Sequence, residues 1–314
     1  MQVFRHIDDP GLALERSVVT LGNFDGIHLG HQALIEGAIH NSRQLGVPSV
    51  VLTFEPHPVK VLAPARAPKM ILAHKDKMQI LQSLGVDIVV VQHFDLNFAK
   101  IAAEEFVRRF LVARLKAAKV WVGKDLRFGQ GRKGQVDDLV RWGKQFDFSV
   151  AVVDPILVNG ARVSSSRIRQ LIQDGHVDEV VALLGRYHFV SGRVVTGHRR
   201  GRDLGFPTAN ISARTEMVPL DGIYATIFRL GEKDLPSVSS VGLNPTFGAG
   251  PRTVESFILN FDGEIYGAPV RLSFVKRIRE EKNFPSVEAL VAQMGQDVSS
   301  ARDVFHDLNL FPSA

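Results

Sequence analysis

The chain has 314 residues, 45% hydrophobic and 23% charged, the balance of an ordinary folded chain of about two domains. It contains no cysteine, which excludes disulfides, thiolate nucleophiles and cysteine-bound zinc. Lys and Arg number 38 against 33 Asp and Glu, and the resulting +5 suits anionic ligands while giving nucleic-acid binding little support.

In chain order, the opening segment shows no basic stretch followed by an apolar one, and no apolar run approaches membrane length; a cytoplasmic protein without a membrane span is expected. Short β-branched runs recur at residues 17–21, 49–54, 87–91, 119–122 and 148–153. Helical patterns lie between them at 30–45, 75–84, 103–116 and 136–145, with Gly46 and Gly85 where C-caps belong. Apolar strands alternating with helices predict a parallel sheet covered on both faces, a Rossmann-like α/β domain. A short helix is expected after Ser164, Ser165 and Ser166, one of which would cap it.

The pattern changes near residues 183–187. Strands are expected at 188–195, 223–228, 237–241, 253–261 and 270–274, with turns at Asp221-Gly222, Asn244-Pro245 and Asp262-Gly263. Two helical patterns follow, near 286–294 and 299–307. The prediction is two domains, 1–185 and 186–314, the second a small antiparallel barrel with C-terminal helices.

The segment LGNFDGIHLGH, residues 21–31, follows the first strand of the α/β part and opens its first helix. Ligands of parallel sheets sit at that place, and unpaired N–H groups of a helix start suit phosphate. His28 and His31, three apart, share a face of the first turn and can donate to phosphate oxygens; taken alone, the pair also fits a surface pair or half a metal site. The whole arrangement resembles the nucleotidyltransferase superfamily that carries HxGH. Ser164 to Ser166, followed by Arg167 and Arg169, would make a second anion site at a helix start. Gly129, Gly131 and Gly134 fit the G-x-G-x-x-G pattern of dinucleotide binding. The strand before them ends near Gly123, however, so they do not form a strand-to-helix turn.

In the second part, basic residues 198–202 between Gly197 and Gly205 suit a phosphate-wrapping loop, or a basic surface turn. Thr208 and Asn210 are hard oxygen donors of the kind Mg²⁺ accepts beside phosphates. Glu255 shares a strand face with Thr253 and Phe257, which leaves open whether it meets solvent or a ligand. Arg279, Lys282 and Phe284 offer two cations and an aromatic plane within six residues.

Together GNFDGIHLGH, TFEPHP, VGKDLRFG, SSSRIR, LGFPTANI, DGIYA, VGLNPTFG, TVESFIL and RIREEKNFPS stand in the order of the bacterial bifunctional riboflavin kinase/FMN adenylyltransferases, and the chain resembles that family over nearly its whole length. The resemblance implies that Gly22, Asn23, Phe24, His28 and His31 hold ATP, with Asp125, Ser164, Ser165, Ser166 and Arg169 completing the adenylyltransferase site. It implies that Phe54 and Phe128 pack near the flavin there. For the kinase it implies ATP contacts from Gly197, Arg202 and Thr208, Mg²⁺ held by Thr208 and Asn210, Glu255 as catalytic base, and flavin contacts from Arg279, Lys282 and Phe284. Riboflavin, FMN, FAD and ATP are the implied partners. Leu126, Phe257 and Asn260 depart from the family's usual Phe, His and Asp at those places, and Lys124 stands at a variable one.

Overall fold

A computed structural model describes residues 1–197, 205–243 and 252–311. They form two compact units, one of Met1–Pro68 with His74–Val163, the other of Lys69–Ala73 with Ser164–Ala314.

The first unit is a six-stranded sheet. In chain order its strands are β1 (Gln2–Phe4), β2 (Ser17–Leu21), β3 (Ser49–Glu55), β4 (Ile88–His93), β5 (Ala117–Gly123) and β6 (Ser149–Val153). They lie in the order β1-β4-β3-β2-β5-β6, and every pair is parallel. The chain runs outward from β2 through β3 to β4, then returns to lay β5 on the other side of β2. The segment after β2 therefore opens at the point where the strand order reverses. β2 is buried at every position, as the run Ser-Val-Val-Thr-Leu requires of a central strand. The helices are α1 (Leu29–Leu45), α2 (Pro58–Leu62), α3 (His74–Ser83), α4 (Ala103–Phe106) and α5 (Val136–Gln145). Gly46 caps α1 at φ 65°.

The helix expected over 103–116 is regular only to Phe106 and then widens to a π-helix over Val107–Arg114, closed by Leu115 N–H donating to the Phe110 carbonyl, 2.8 Å. Phe106, Val107, Phe110, Leu111 and Leu115 are buried. Their spacing of four to five residues puts them on one side of the wider coil. The glycines at 129–134 serve packing: a Cβ on Gly129 would lie 2.5 Å from the Ala103 Cα, so the loop rests on the start of α4. A short hairpin, β7 (Leu157–Val158) and β8 (Ala161–Arg162), ends the unit.

The second unit begins with α6 (Ser165–Gln173) and α7 (Val177–Leu184). A closed barrel follows, with β9 (His188–Val195), β10 (Thr208–Ala213), β11 (Gly222–Leu230), β12 (Lys233–Leu243), β13 (Arg252–Ile258) and β14 (Pro269–Arg279), in the order β10-β13-β12-β11-β14-β9. All pairs are antiparallel, and β9 closes onto β10. The expected strand at 253–261 ends at Ile258, and Asn260 turns the chain with φ 54°, a conformation Asn tolerates well. The Asn244-Pro245 turn lies outside the described residues.

One helix, α8 (Val287–Asp307), stands where two helical patterns were expected. The helix runs through Gly295 between the two patterns; a mid-helix glycine costs only about 1 kcal/mol, and neighbouring Asp297 is tied to the barrel. Arg279 on β14 donates through Nε and Nη2 to the two Asp297 oxygens, both at 2.7 Å, in a nearly buried pair. The helix covers an outer face of the barrel through Ala301 and Phe305 against Ala225 and Val275.

Alternation sorts the barrel residues. Val190, Val194, Ile211, Tyr224, Phe228, Val241, Val254, Ile258, Leu272 and Phe274 fill the interior. Thr226, Ser237, Ser239 and Ser256 have the same parity on their strands and are also fully buried. Their hydroxyls join in a chain. Thr226 Oγ1 lies 2.7 Å from both Ser237 Oγ and Ser239 Oγ, and Ser239 donates to Ser256 at 2.9 Å. Such a chain satisfies the buried hydroxyls without water.

Candidate active sites

The first site is the 22–31 turn between β2 and α1. His28 is the N-cap of α1, and its Nδ1 accepts from His31 N–H at 3.3 Å. That acceptor role leaves Nδ1 without a proton, so in the neutral ring Nε2 carries the hydrogen. The His28 and His31 rings stack at 3.6 Å, and the buried Phe24 ring meets His31 edge-on at 5.3 Å. Burial, helped by His28 and Lys77, holds His31 well below the ordinary histidine range, so it is neutral at pH 7 and has a ring N–H, not a charge, to offer a ligand.

The turn carries two side-chain-bearing residues in the left-handed region, Phe24 at φ 49° and Ile27 at φ 38°. It is held at the Asn23 carbonyl, which accepts from Thr53 Oγ1 at 3.2 Å and from Lys77 Nζ at 3.0 Å. Gly22, Asn23, His28 and His31 are thus brought together as expected, while Phe24 contributes its ring to the core. Lys77 escaped the sequence reading because it lies on α3, far along the chain. The signal available was its spacing: a lysine one turn into a helix that follows the third strand.

The remaining residues expected here are placed as follows. Asp125 pairs with Arg162 at the surface of the first unit. Phe54 is half-buried and begins a run of ring contacts, through Phe98 at 5.8 Å to Phe106 at 6.3 Å and on to Phe128 at 5.7 Å. Phe128 itself is buried in the core. Leu126 packs on that core in place of the family's Phe. Ser164 caps α6, accepting from Arg167 N–H at 3.3 Å, so of the three serines the first is the N-cap; it belongs to the second unit, as do Ser165, Ser166 and Arg169. Arg169 Nε donates to the Lys69 carbonyl at 2.9 Å.

The second site lies on the outside of the barrel. Ile211 and Val254 point inward, so Thr208, Asn210 and Glu255 point outward. Asn210 and Glu255 are directly opposite across β10 and β13, and Ser240 on β12 is opposite Glu255 on the other side. Thr208 Oγ1 donates to Glu255 Oε2 at 3.3 Å. Gly197 is needed for room: a Cβ there would lie 2.1 Å from Asn210 Nδ2. Phe257, in place of the family's His, also points outward and meets Phe206 edge-on at 5.1 Å. Arg202 lies outside the described residues.

Beyond β14, Arg279 spends its Nε and Nη2 on Asp297, and Nη1 on the Glu280 carbonyl at 2.7 Å. Its guanidinium also lies 5.8 Å from the Phe284 ring centroid. Arg279 therefore anchors its segment to α8, while Lys282 is exposed and Phe284 half-buried. A carboxylate the sequence reading passed over, Glu281, accepts from Ser240 Oγ at 3.2 Å, and burial pushes its carboxyl above the usual range.

Comparison with known proteins matches both regions. Residues 12–167 fit the family described as FAD synthetase, and residues 184–305 the family described as riboflavin kinase. The Escherichia coli (strain K12) bifunctional riboflavin kinase/FMN adenylyltransferase is 37% identical over 292 residues, 93% of each chain. The Haemophilus influenzae protein of that name is 33% identical over 307 residues, 98% of this chain and 100% of its own. A crystal structure described as a macrolide-efflux protein from Streptococcus pneumoniae is 34% identical, with a TM-score of 0.86 over 96% of this chain and 98% of that one. Among the described residues, no helix is long and apolar enough to cross a membrane. Family likeness over both regions, and near-complete coverage of relatives at this identity, agree: the chain belongs to the bifunctional riboflavin kinase/FMN adenylyltransferase family.

Proposed function

We propose that the family's two reactions divide along this chain. Residues 186–314 transfer the γ-phosphoryl of ATP to riboflavin, giving FMN, and residues 1–185 transfer the adenylyl group of a second ATP to FMN, giving FAD and pyrophosphate. What carries this reading is the opposite character of the two sites. One is a turn of hydrogen-bond donors at the carboxyl end of β2, the other a carboxylate accepting from a hydroxyl on the barrel's outer face. Dependence on ATP fits a cytoplasmic enzyme.

In the kinase step the riboflavin 5′-hydroxyl attacks the γ-phosphorus and ADP leaves. A hydroxyl is a weak nucleophile until a base takes its proton, and Glu255 is the carboxylate in place to do so. With Oε2 engaged by Thr208, Oε1 is the oxygen assigned to that proton. Thr208 and Asn210 offer two oxygen donors on one face of the sheet beside Glu255, with Asn210 seated over Gly197; these two donors fit Mg²⁺, whose other ligands would come from nucleotide phosphates. When bound with ATP, the ion neutralises phosphate charge. Gly197 and Arg202 are assigned to the phosphates of this ATP. Lys282 and Phe284 are assigned to the flavin, with Arg279 fixing the segment that carries them.

In the adenylyl step an FMN phosphate oxygen attacks the α-phosphorus and pyrophosphate leaves. That nucleophile is already anionic, so no base is needed. Donors that stabilise charge suffice: His28 Nε2–H, His31 and the N–H groups at the start of α1. Gly22, Asn23 and Asp125 are assigned to this ATP, and Phe54 and Phe128 belong to the aromatic run assigned to the flavin.

Incubating the full chain with riboflavin, ATP and Mg²⁺ and separating the products over time tests the reading. FMN should appear first and FAD after it. A mixture in which FMN never forms, or in which FMN accumulates without FAD in excess ATP, would reject one half or the other.

A further inference from the structure

Lys77 is a cation with donors in reserve. It is half-buried on α3, and burial draws its ammonium below the ordinary lysine value, while the charges of Asp25 and Glu55 act in the opposite sense. An ammonium has three N–H donors. Among the described residues its one hydrogen bond goes to the Asn23 carbonyl, 3.0 Å, and no carboxylate forms an ion pair with it. Thr53 Oγ1 already donates to the same carbonyl, so pinning the strained turn does not by itself require a charge there. Placing a cation in a partly desolvated site is costly unless an anion shares it. His31 lies close enough to feel that charge, and its Nδ1 is buried with no hydrogen-bond partner. Two unspent polar groups therefore border the same turn.

We propose that Lys77 is a catalytic residue of adenylyl transfer: anchored by the Asn23 carbonyl, its ammonium gives its remaining N–H groups to phosphoryl oxygens of the nucleotide at the 22–31 turn. The inference rests on reading that turn as the ATP site. Lys77 forms no covalent bond and keeps its proton. The bond that forms joins an FMN phosphate oxygen to the α-phosphorus, and the bond that breaks releases pyrophosphate.

The test measures FMN-to-FAD and riboflavin-to-FMN conversion on the same preparations of the full chain. Lys77→Met should lower kcat for FAD formation roughly 10²- to 10³-fold, as loss of an oriented charge donor does, with KM for FMN and ATP within about threefold and FMN formation unchanged. Lys77→Arg should recover part of the rate, and ethylammonium should partly rescue Lys77→Ala. A folded Lys77→Met enzyme with kcat within about threefold of the parent would overturn the proposal. Should Lys77→Met melt below the assay temperature, Lys77→Ala decides: a rate that climbs with ethylammonium supports the proposal, and a rate indifferent to the amine rejects it. His28→Ala is the control for the underlying reading. If His28→Ala keeps full FAD formation, the turn is not the ATP site; if His28→Ala fails and Lys77→Met does not, only the Lys77 proposal falls.

Discussion

The two sites are built in opposite ways. The 22–31 turn is contiguous: one stretch of chain supplies glycines, cap, helix start and both histidines, and the sheet beneath it only fixes where that stretch lies. The barrel face is assembled across strands, with Thr208 and Asn210 from β10, Glu255 from β13 and Gly197 from just beyond β9. On the proposed assignment, the turn offers hydrogen-bond donors to a nucleophile already charged, whereas the barrel face presents a carboxylate to one that must lose a proton. A contiguous site depends on local backbone conformation, and an assembled one on strand register, so each should fail to a different kind of change.

The strongest test of that contrast is Glu255→Gln, which keeps shape and removes the base. It should lower FMN formation by roughly 10²- to 10⁴-fold and leave FMN-to-FAD conversion intact, read by product chromatography. His28→Ala should do the reverse, costing FAD formation roughly 10²- to 10³-fold while FMN still forms. Loss of either activity in both variants, with the protein folded, would mean that the sites are not separate. A finer probe is Gly197→Ala, whose new methyl collides with the Asn210 amide. Displacing that amide should cost the kinase about 10²-fold and raise the Mg²⁺ concentration it needs, with the adenylyl step unaffected.

The smallest effect separates stability from chemistry. His188, buried in the second unit with Nε2–H donating to the Met217 carbonyl at 3.0 Å, is drawn by burial from 6.5 down to about 4. Between those values the unfolded chain binds a proton that the folded one refuses, so stability is full above pH 6.5 and falls as the pH drops toward 4. Urea melts from pH 7 to pH 5 should show a loss of about 2 kcal/mol from this group, which His188→Gln should remove. An unchanged acid slope in that variant would show that another group sets it.

This contrast also explains what could be read before the structure. The parallel sheet, α5 and β9 follow from apolar periodicity, and the turn from adjacent residues. The orientation of Glu255 could not be read, because its strand inverts the usual rule: Ser256 is inside and Phe257 outside. Only the hydroxyls of β11 and β12 make an inward serine affordable. β10 was missed for a related reason: its inward residues are Ala209, Ile211 and Ala213, of which only Ile211 is large, so its alternation is faint. The buried Arg279–Asp297 pair, which runs α8 through Gly295, joins residues that no local pattern links.

The hydroxyl chain inside the barrel has a consequence for catalysis that contact alone does not reveal. Ser256 and Glu255 are neighbours on β13, so a slip of one residue would turn the serine out and the carboxylate in. Ser239 would then lose one of its two hydroxyl partners, and an acid would enter the barrel interior. The inward serine thus favours the register in which Glu255 faces outward, where the proposed reaction needs it.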